Sequence, residues 1–139
     1  MKYLLDTNVL VSAALFPTGV TGRAYDLALT EAVDVVVCDY SLTELRSVFT
    51  ARFPDRVAAL EAFIAGIEPG IKIVPTPEAV ATDIDVESVR DPKDWPILRA
   101  ALAAGVDVIV TGDKDILDAG LPHPAVMTPA QFFAALLFV

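Results

Sequence analysis

Short apolar segments rich in β-branched residues recur along this chain and alternate with segments of helical periodicity. The predicted strands are Lys2–Leu5, Asp34–Cys38, residues 71–74 and residues 107–111, with Ala125–Met127 as a candidate fifth. Continuous apolar strands separated by helices are typical of a parallel sheet that is covered on both faces. The sequence therefore predicts a three-layer α/β/α sandwich with a central, mainly parallel sheet of four or five strands.

Helices are predicted in the intervals between these strands. They cover residues 9–15 after a Thr7-Asn8 cap, residues 21–30, a segment opened by Ser41, residues 56–67 after a Pro54-Asp55 cap, a segment from Asp91 or Asp94 to Ala104, and residues 130–137. Gly105 is expected to end the helix that precedes the fourth strand. The loop-like interval 75–92 is too short to separate two cores, so we expect residues 1–139 to form a single domain.

Composition limits the class of protein further. Of the 139 residues, 55% are hydrophobic, which excludes a disordered chain. The single cysteine, Cys38, can form neither an internal disulfide nor a zinc cluster, and this fits a reducing compartment. Asp6 comes too early for the apolar core of a signal peptide, and the apolar run that follows is too short to span a membrane. We therefore expect a cytoplasmic protein with no membrane association.

The charge balance constrains the choice of ligand. The chain has 19 acidic residues against 10 basic ones, which gives a formal net charge of −9. A negative field of this size opposes non-specific binding of a polyanion. Any nucleic-acid substrate would therefore depend on local cations.

Four or five acidic residues are predicted to converge on one edge of the sheet. Asp6 and Asp113 follow the first and fourth strands, Asp115 is two residues further on, and Glu44 and Asp94 lie near the starts of two helices. In parallel sheets the carboxyl ends of the strands share one edge, where ligands also bind. Clustered carboxylates repel one another unless a cation is present, and oxygen ligands without histidine or cysteine favour Mg²⁺ or Mn²⁺. This chemistry suits hydrolysis of a phosphodiester bond.

Most of these acids also have an ordinary structural explanation. The alternatives are a capping box of Ser41 and Glu44, helix capping by Asp91 and Asp94, and a solvated turn or helix cap at Asp113 and Asp115. Asp6 is harder to explain in this way, because it directly follows a buried apolar strand. Burying an unpaired carboxylate costs several kcal/mol, roughly, unless a partner compensates.

Four segments of the chain, taken in order, resemble the PIN-domain ribonucleases, and in particular the VapC-like toxins of toxin–antitoxin pairs. The segments are residues 4–13 (LLDTNVLVSA), 41–45 (SLTEL), 91–94 (DPKD) and 110–115 (VTGDKD). The resemblance implies that the catalytic and metal-binding residues are Asp6, Glu44, Asp94 and Asp113, with Asp115 as a further ligand. It also implies that Thr7, Asn8 and Thr111 shape the site. Trp95-Pro96 departs from the polar residue that commonly follows the third aspartate.

The same resemblance implies an endoribonuclease that uses Mg²⁺ or Mn²⁺, forms a homodimer and is inhibited by a cognate antitoxin. Four basic residues near the motifs could hold RNA phosphates or could be solvated surface: Arg46, Lys93, Arg99 and Lys114. Two other functions remain open on the sequence. One is a phosphatase with Asp6 as its nucleophile, and the other is a non-enzymatic module whose acidic face docks a basic partner.

Overall fold

The centre of the fold is a five-stranded parallel sheet in the order β3-β2-β1-β4-β5. The computed structural model describes residues 1–30, 33–79 and 84–138. Its strands are β1 (Lys2–Leu5), β2 (Asp34–Cys38), β3 (Lys72–Val74), β4 (Val108–Val110) and β5 (Ala125–Met127). The predicted α/β sandwich is confirmed, and the sheet has five strands.

The helices cover both faces of this sheet. They are α1 (Thr7–Leu15), α2 (Val20–Thr30), α3 (Asp39–Arg52), α4 (Val57–Ala65), α5 (Ile84–Glu87), α6 (Trp95–Ala104), α7 (Lys114–Leu117) and α8 (Pro129–Leu137). Gly105 ends α6 as expected, with a φ of 66° in the left-handed region that favours glycine. In the described part of the chain, no helix has both the length and the apolar character required to span a bilayer.

Side chains of β1 alternate between two hydrophobic cores, as the two-residue period of a strand requires. Tyr3 and Leu5 belong to the larger core, which also includes residues of α1, α2, α3, α4 and α8. Leu4 points to the smaller core, where residues of α5, α6 and α7 pack. The central strands are apolar along their whole length, and helices therefore bury both of their faces.

The register of β1 against β4 determines what meets at the carboxyl edge. Leu5 pairs with Val110, and the backbone N–H of Asp6 donates to the carbonyl oxygen of Val110 at 3.0 Å. The next residue of each strand, Asp6 and Thr111, therefore leaves the sheet at the same level. Two residues that are 105 positions apart in sequence become direct neighbours.

Several predicted helix boundaries are wrong, each for a local reason. The cap of α1 is Asp6 rather than the Thr7-Asn8 pair, since Asp6 accepts the Thr7 N–H. Helix α3 begins at Asp39, two residues before the predicted start at Ser41, so the capping box considered as an alternative role for Glu44 does not form. The predicted helix 56–67 is a 3₁₀ turn (Pro54–Arg56) followed by α4.

The interval 75–92 is more structured than a loop. It contains the short helix α5, while residues 80–83 of the predicted loop lie outside the described residues. Asp91 caps a 3₁₀ turn (Pro92–Asp94) by accepting the Lys93 N–H at 3.0 Å, and Asp94 makes no capping bond at the start of α6. The two alternatives for the start of this helix are thereby separated: Asp91 has the capping role and the Asp94 side chain is left for another one.

Candidate functional site

Asp6 lies at the centre of the carboxyl edge, where it is only 4% exposed. Its Oδ1 accepts the backbone N–H of Thr7 at 2.7 Å, and its Oδ2 accepts the hydroxyl of Thr111 at 2.7 Å. Burial raises the pKa of Asp6 to about 6, although these two hydrogen bonds lower it and the charges of Glu44 and Asp113 raise it further. Two hydrogen bonds thus fix the orientation of the Asp6 carboxylate, but neither donor carries a positive charge.

Thr111 connects Asp6 to the neighbouring loop. The fully buried Thr111 hydroxyl accepts hydrogen bonds from the Asn8 side-chain amide at 3.3 Å and from the backbone N–H of Asp113 at 3.0 Å. The side-chain oxygen Oδ1 of Asn8 in turn accepts the backbone N–H of Gly112 at 3.2 Å. Asn8 and Thr111 therefore hold the segment after β4 against the start of α1, and this places Asp113 at the same edge.

Glu44 reaches the site through Thr7 and not through a helix cap. The Thr7 hydroxyl lies 2.7 Å from Glu44 Oε1, and it is also 3.0 Å from the hydroxyl of the fully buried Ser41. Cys38 Sγ lies 3.4 Å from the same Ser41 oxygen. The Thr7 and Ser41 side chains thus serve the contact between α1 and α3, and through it they direct Glu44 toward Asp6.

Asp94 is the strongest indication that the site holds a ligand. Its side chain is 9% exposed, and its Oδ2 is buried without a hydrogen-bond partner among the described residues. Burial raises the pKa of Asp94 to about 8, and the nearby carboxylates of Asp113, Asp6 and Asp91 add to that rise. An unpaired buried carboxylate oxygen is costly, which calls for an explanation in function.

Asp113 and Asp115 lie in the first turn after β4. Asp113 caps α7, since its Oδ1 accepts the Asp115 N–H at 2.8 Å, so the structural role considered for it is real. That cap uses one oxygen only, and the carboxylate still lies close enough to Asp94 to raise its pKa. Capping and ligand binding are therefore compatible for the same side chain.

Three carboxylates at the outer end of the edge form a further group, which we call the acidic triad: Asp91, Asp94 and Asp115. One carboxylate oxygen of each lies within 4.8 Å of those of the other two. The Arg90 guanidinium lies 3.1 Å from Asp115 Oδ1, but its side chain is 87% exposed. Asp94 thus belongs both to the triad and to the group around Asp6.

This donor set fits a divalent cation of the Mg²⁺ or Mn²⁺ type. The side chains that converge offer carboxylate oxygens, with no histidine or thiol among them, and such ligands suit hard cations. The Oδ2 of Asp94 is buried without a donor among the described residues, and burial, together with the charges of neighbouring carboxylates, raises the pKa values of Asp6 and Asp94. A bound cation would supply the missing partner and a compensating positive charge.

The four basic residues near the motifs differ in their availability. Arg46 forms an ion pair with Glu61 at 3.0 Å, and Arg99 donates to the carbonyl oxygen of Pro77 at 3.2 Å. Lys93 and Lys114 are exposed, and neither ammonium group has a partner among residues 1–30, 33–79 and 84–138. These two lysines flank the acids of the 3₁₀ turn and of α7.

Sequence reasoning missed two side chains at this edge. Tyr40 lies in the first turn of α3, its hydroxyl donates to the Lys93 carbonyl at 3.4 Å, and burial and the charge of Glu44 raise its pKa. The second missed side chain is Arg90, whose only signal in the sequence is its position next to Asp91. Trp95 packs against the smaller core and donates from Nε1 to the Val89 carbonyl at 2.8 Å, so its indole anchors the turn.

Comparison with known proteins agrees with this fold. The sequence matches the family model of the PIN domain over residues 2–115. Among solved structures, PAE2754 from Pyrobaculum aerophilum is similar at a TM-score of 0.71 and 16% identity, over 100% of this chain and 91% of that chain. VapBC2 from Rickettsia felis, bound to a DNA fragment from its promoter, gives a TM-score of 0.67 and 15% identity over 92% and 98% of the two chains. No curated protein matches the sequence significantly.

Proposed function

The chain belongs to the PIN domain family, and on that premise we propose that it is a metal-dependent endoribonuclease, with residues 1–139 acting as one nuclease domain. The observation that carries the proposal is the buried, unpartnered Oδ2 of Asp94 within a group of carboxylates. A solvated acidic face would not leave such an atom without a partner. A site prepared for a cation would.

Four carboxylates would hold the cation, with Asp115 in support: Asp6, Glu44, Asp94 and Asp113. When bound, Mg²⁺ or Mn²⁺ supplies a Lewis acid at the phosphate and lowers the pKa of a water molecule. The protein's own contribution is orientation. The Thr111 hydroxyl and the Thr7 N–H fix the two oxygens of Asp6, and the Thr7 hydroxyl fixes Glu44.

The RNA backbone needs positive charge that the molecule as a whole does not supply, since the net charge is −9. Lys93 and Lys114 are the best placed cations, because Arg46 and Arg99 already contact Glu61 and Pro77. Both lysines adjoin residues of the site in sequence. We infer that they contact phosphates on either side of the scissile bond.

The proposal also includes a protein partner, namely a cognate antitoxin. The similarity to VapBC2 of Rickettsia felis supports a toxin that a cognate antitoxin inhibits in the cytoplasm. An acidic edge of this kind can accept an arginine or lysine of such an inhibitor. A homodimer is part of the proposal. Sedimentation of the purified chain tests the dimer, which a purely monomeric species would exclude.

The geometry speaks against a phosphatase with Asp6 as nucleophile. Both oxygens of Asp6 accept hydrogen bonds of 2.7 Å, and the residue is 4% exposed. A carboxylate nucleophile needs an oxygen that can reach a substrate phosphorus. Asp6 is instead held as a fixed ligand.

The test is cleavage of a single-stranded RNA by the purified chain in the presence of Mn²⁺. Asp6→Asn should abolish cleavage while circular dichroism shows an intact fold, and EDTA should abolish cleavage by the wild type. Asp34→Asn is the matched control, because it makes the same change at an exposed position at the other end of the sheet. In cells, expression of the wild type should arrest growth and the Asp6→Asn chain should not. Unchanged cleavage by Asp6→Asn would overturn the proposal.

A further inference from the structure

The turn before α6 holds Asp91 in a defined position. The Trp95 Nε1 donates to Val89 at one end of the turn, and the Tyr40 hydroxyl donates to Lys93 within it. Asp91 Oδ1 accepts the Lys93 N–H at 3.0 Å, which fixes the direction of its carboxylate. The Asp91 side chain is therefore not a freely rotating surface group.

Each member of the acidic triad retains an oxygen for a ligand. In Asp91 the cap uses Oδ1, and in Asp115 the contact with Arg90 uses Oδ1. Within the part of the chain that the structure describes, the Oδ2 atoms of these two residues accept no hydrogen bond. The third member, Asp94, is nine-tenths buried, and its Oδ2 has no hydrogen-bond partner among the described residues.

Arg90 does not neutralise this group. Its side chain is 87% exposed, and ion pairs of exposed side chains contribute about 0–1 kcal/mol in water. Three carboxylates and one guanidinium leave a formal charge of −2, which a single divalent cation would balance. Oxygens within 4.8 Å of one another can all contact one cation at ligand distances of about 2.0–2.6 Å.

We propose that Asp91 is a ligand of a divalent cation, which it holds together with Asp94 and Asp115, and that Arg90 is the counter-ion that this cation displaces. The acidic triad is then a cation position next to the site proposed above, with which it shares Asp94 and Asp115. For its use in catalysis the inference rests on the nuclease function proposed above. The binding itself can be measured without nucleic acid.

The experiment is a titration of the full chain with Mn²⁺, in which the EPR signal of free Mn²⁺ reports the bound fraction. Asn caps helices as well as Asp does, so Asp91→Asn removes the charge and keeps the turn. We expect this variant to lose the Mn²⁺ bound at the triad or to bind it at least about tenfold more weakly, since even the loss of a residue that only supports a ligand costs about 10–100-fold in metal affinity. Asp91→Ser, which also preserves a cap, is the second variant should the first fail to fold.

Two further variants complete the design. Arg90→Gln should strengthen Mn²⁺ binding severalfold at low salt, because it removes a positive charge beside Asp115. Asp118→Asn is the matched control: the residue is exposed, lies at the end of α7 and is outside the triad. It should bind Mn²⁺ like the wild type.

The outcomes separate this inference from the proposed function. Wild-type Mn²⁺ affinity and stoichiometry in both Asp91 variants would overturn the inference, and so would the absence of Mn²⁺ binding by the wild type. Weaker binding by Arg90→Gln would overturn the role of Arg90 as a displaced counter-ion. If Mn²⁺ binds through Asp91 but the wild type cleaves no RNA, the inference holds and the proposed function fails.

Discussion

The two ends of β1 and β4 show opposite treatments of the same residue type. At the amino end, Asp107 Oδ2 accepts the backbone N–H of Lys2 at 2.8 Å, and the Lys2 ammonium donates to the Ala104 carbonyl at 2.8 Å. At the carboxyl end, Asp6 and Asp94 are buried beside other carboxylates without a basic side chain among their hydrogen-bond partners in the described chain. The exposed acid at the amino end has a donor, whereas Asp94 Oδ2 at the carboxyl end is buried without one in the described chain.

The difference indicates which end of the sheet is suited to bind a cation. Asp107 is exposed, whereas Asp6 and Asp94 are buried, and a buried acid is stable only when donors surround it. The distinguishing property is an excess of negative charge that the fold maintains with fixed donors, as Thr111 and Thr7 do for Asp6. Buried negative charge without compensation destabilises a fold, so its presence points to a functional site.

The strongest test of this difference makes the same substitution, Asp→Asn, at the carboxyl end and at the amino end of the two strands. Asp94→Asn should lower Mn²⁺-dependent RNA cleavage by at least about 100-fold, because it removes a charged ligand from the proposed metal centre. Asp107→Asn should leave the cleavage rate within about twofold of the wild type, since surface changes of this kind have small effects. Steady-state cleavage assays measure both. Equal losses in the two variants would show that the carboxyl end is not special.

The second test uses the pH dependence of stability in the presence of EDTA. The pKa of Asp6 rises from 3.8 to about 6 and that of Asp94 from 3.8 to about 8. Between pH 4 and 8 the folded state therefore binds more protons than the unfolded state, so the free energy of unfolding falls as pH rises. The shift of Asp6 alone corresponds to about 3 kcal/mol. Urea unfolding at a series of pH values should show greater stability at pH 5 than at pH 8.

The controls follow from the cause of the shifts. Asp94→Asn should flatten the pH dependence, because the group that titrates highest is gone, and Asp107→Asn should keep the wild-type slope. Mn²⁺ should raise the stability at pH 8 by an amount that grows with its concentration, since it binds the folded state. Stability that increases from pH 5 to pH 8 in EDTA would contradict the charge excess at this edge.

Much of this comparison was visible in the sequence. An apolar strand that ends directly in Asp6 predicts a buried carboxylate. The alternation of strands and helices predicts that Asp113 lies at the same carboxyl edge of the sheet. Both predictions depend on local patterns and on a rule that holds for parallel sheets generally. The order of the strands adds the neighbour relation between β1 and β4.

What the sequence could not supply depends on tertiary contacts. Ser41 and Glu44 match a capping box, yet α3 starts earlier and both side chains turn toward Thr7 across 34 and 37 residues of sequence. Asp91 and Asp94 share one motif, and only the geometry of the turn separates the cap from the orphaned carboxylate. The exposed ion pair of Arg46 with Glu61 in α4, 15 residues away in sequence, is likewise a tertiary contact that the local pattern does not predict.

The smallest expected effect concerns the donor that fixes Asp6. Thr111→Val keeps the shape of a fully buried side chain but removes the hydroxyl that donates to Asp6 Oδ2. The loss of a donor to a buried acceptor costs about 1–3 kcal/mol, which urea unfolding at pH 8 would detect. Since this hydrogen bond lowers the pKa of Asp6, the variant should also lose stability more steeply as pH rises.

Thr76→Val provides the matched comparison for this variant. The Thr76 hydroxyl also donates to an aspartate, Asp39 Oδ1 at 2.6 Å, but that bond is exposed to solvent. Water can replace it, so the free energy of unfolding should change by less than about 0.5 kcal/mol and the pH slope should stay that of the wild type. An equal loss in both variants would mean that the Thr111 hydroxyl acts as an ordinary surface donor, and Asp6 would not differ from an exposed aspartate at the same edge of the sheet.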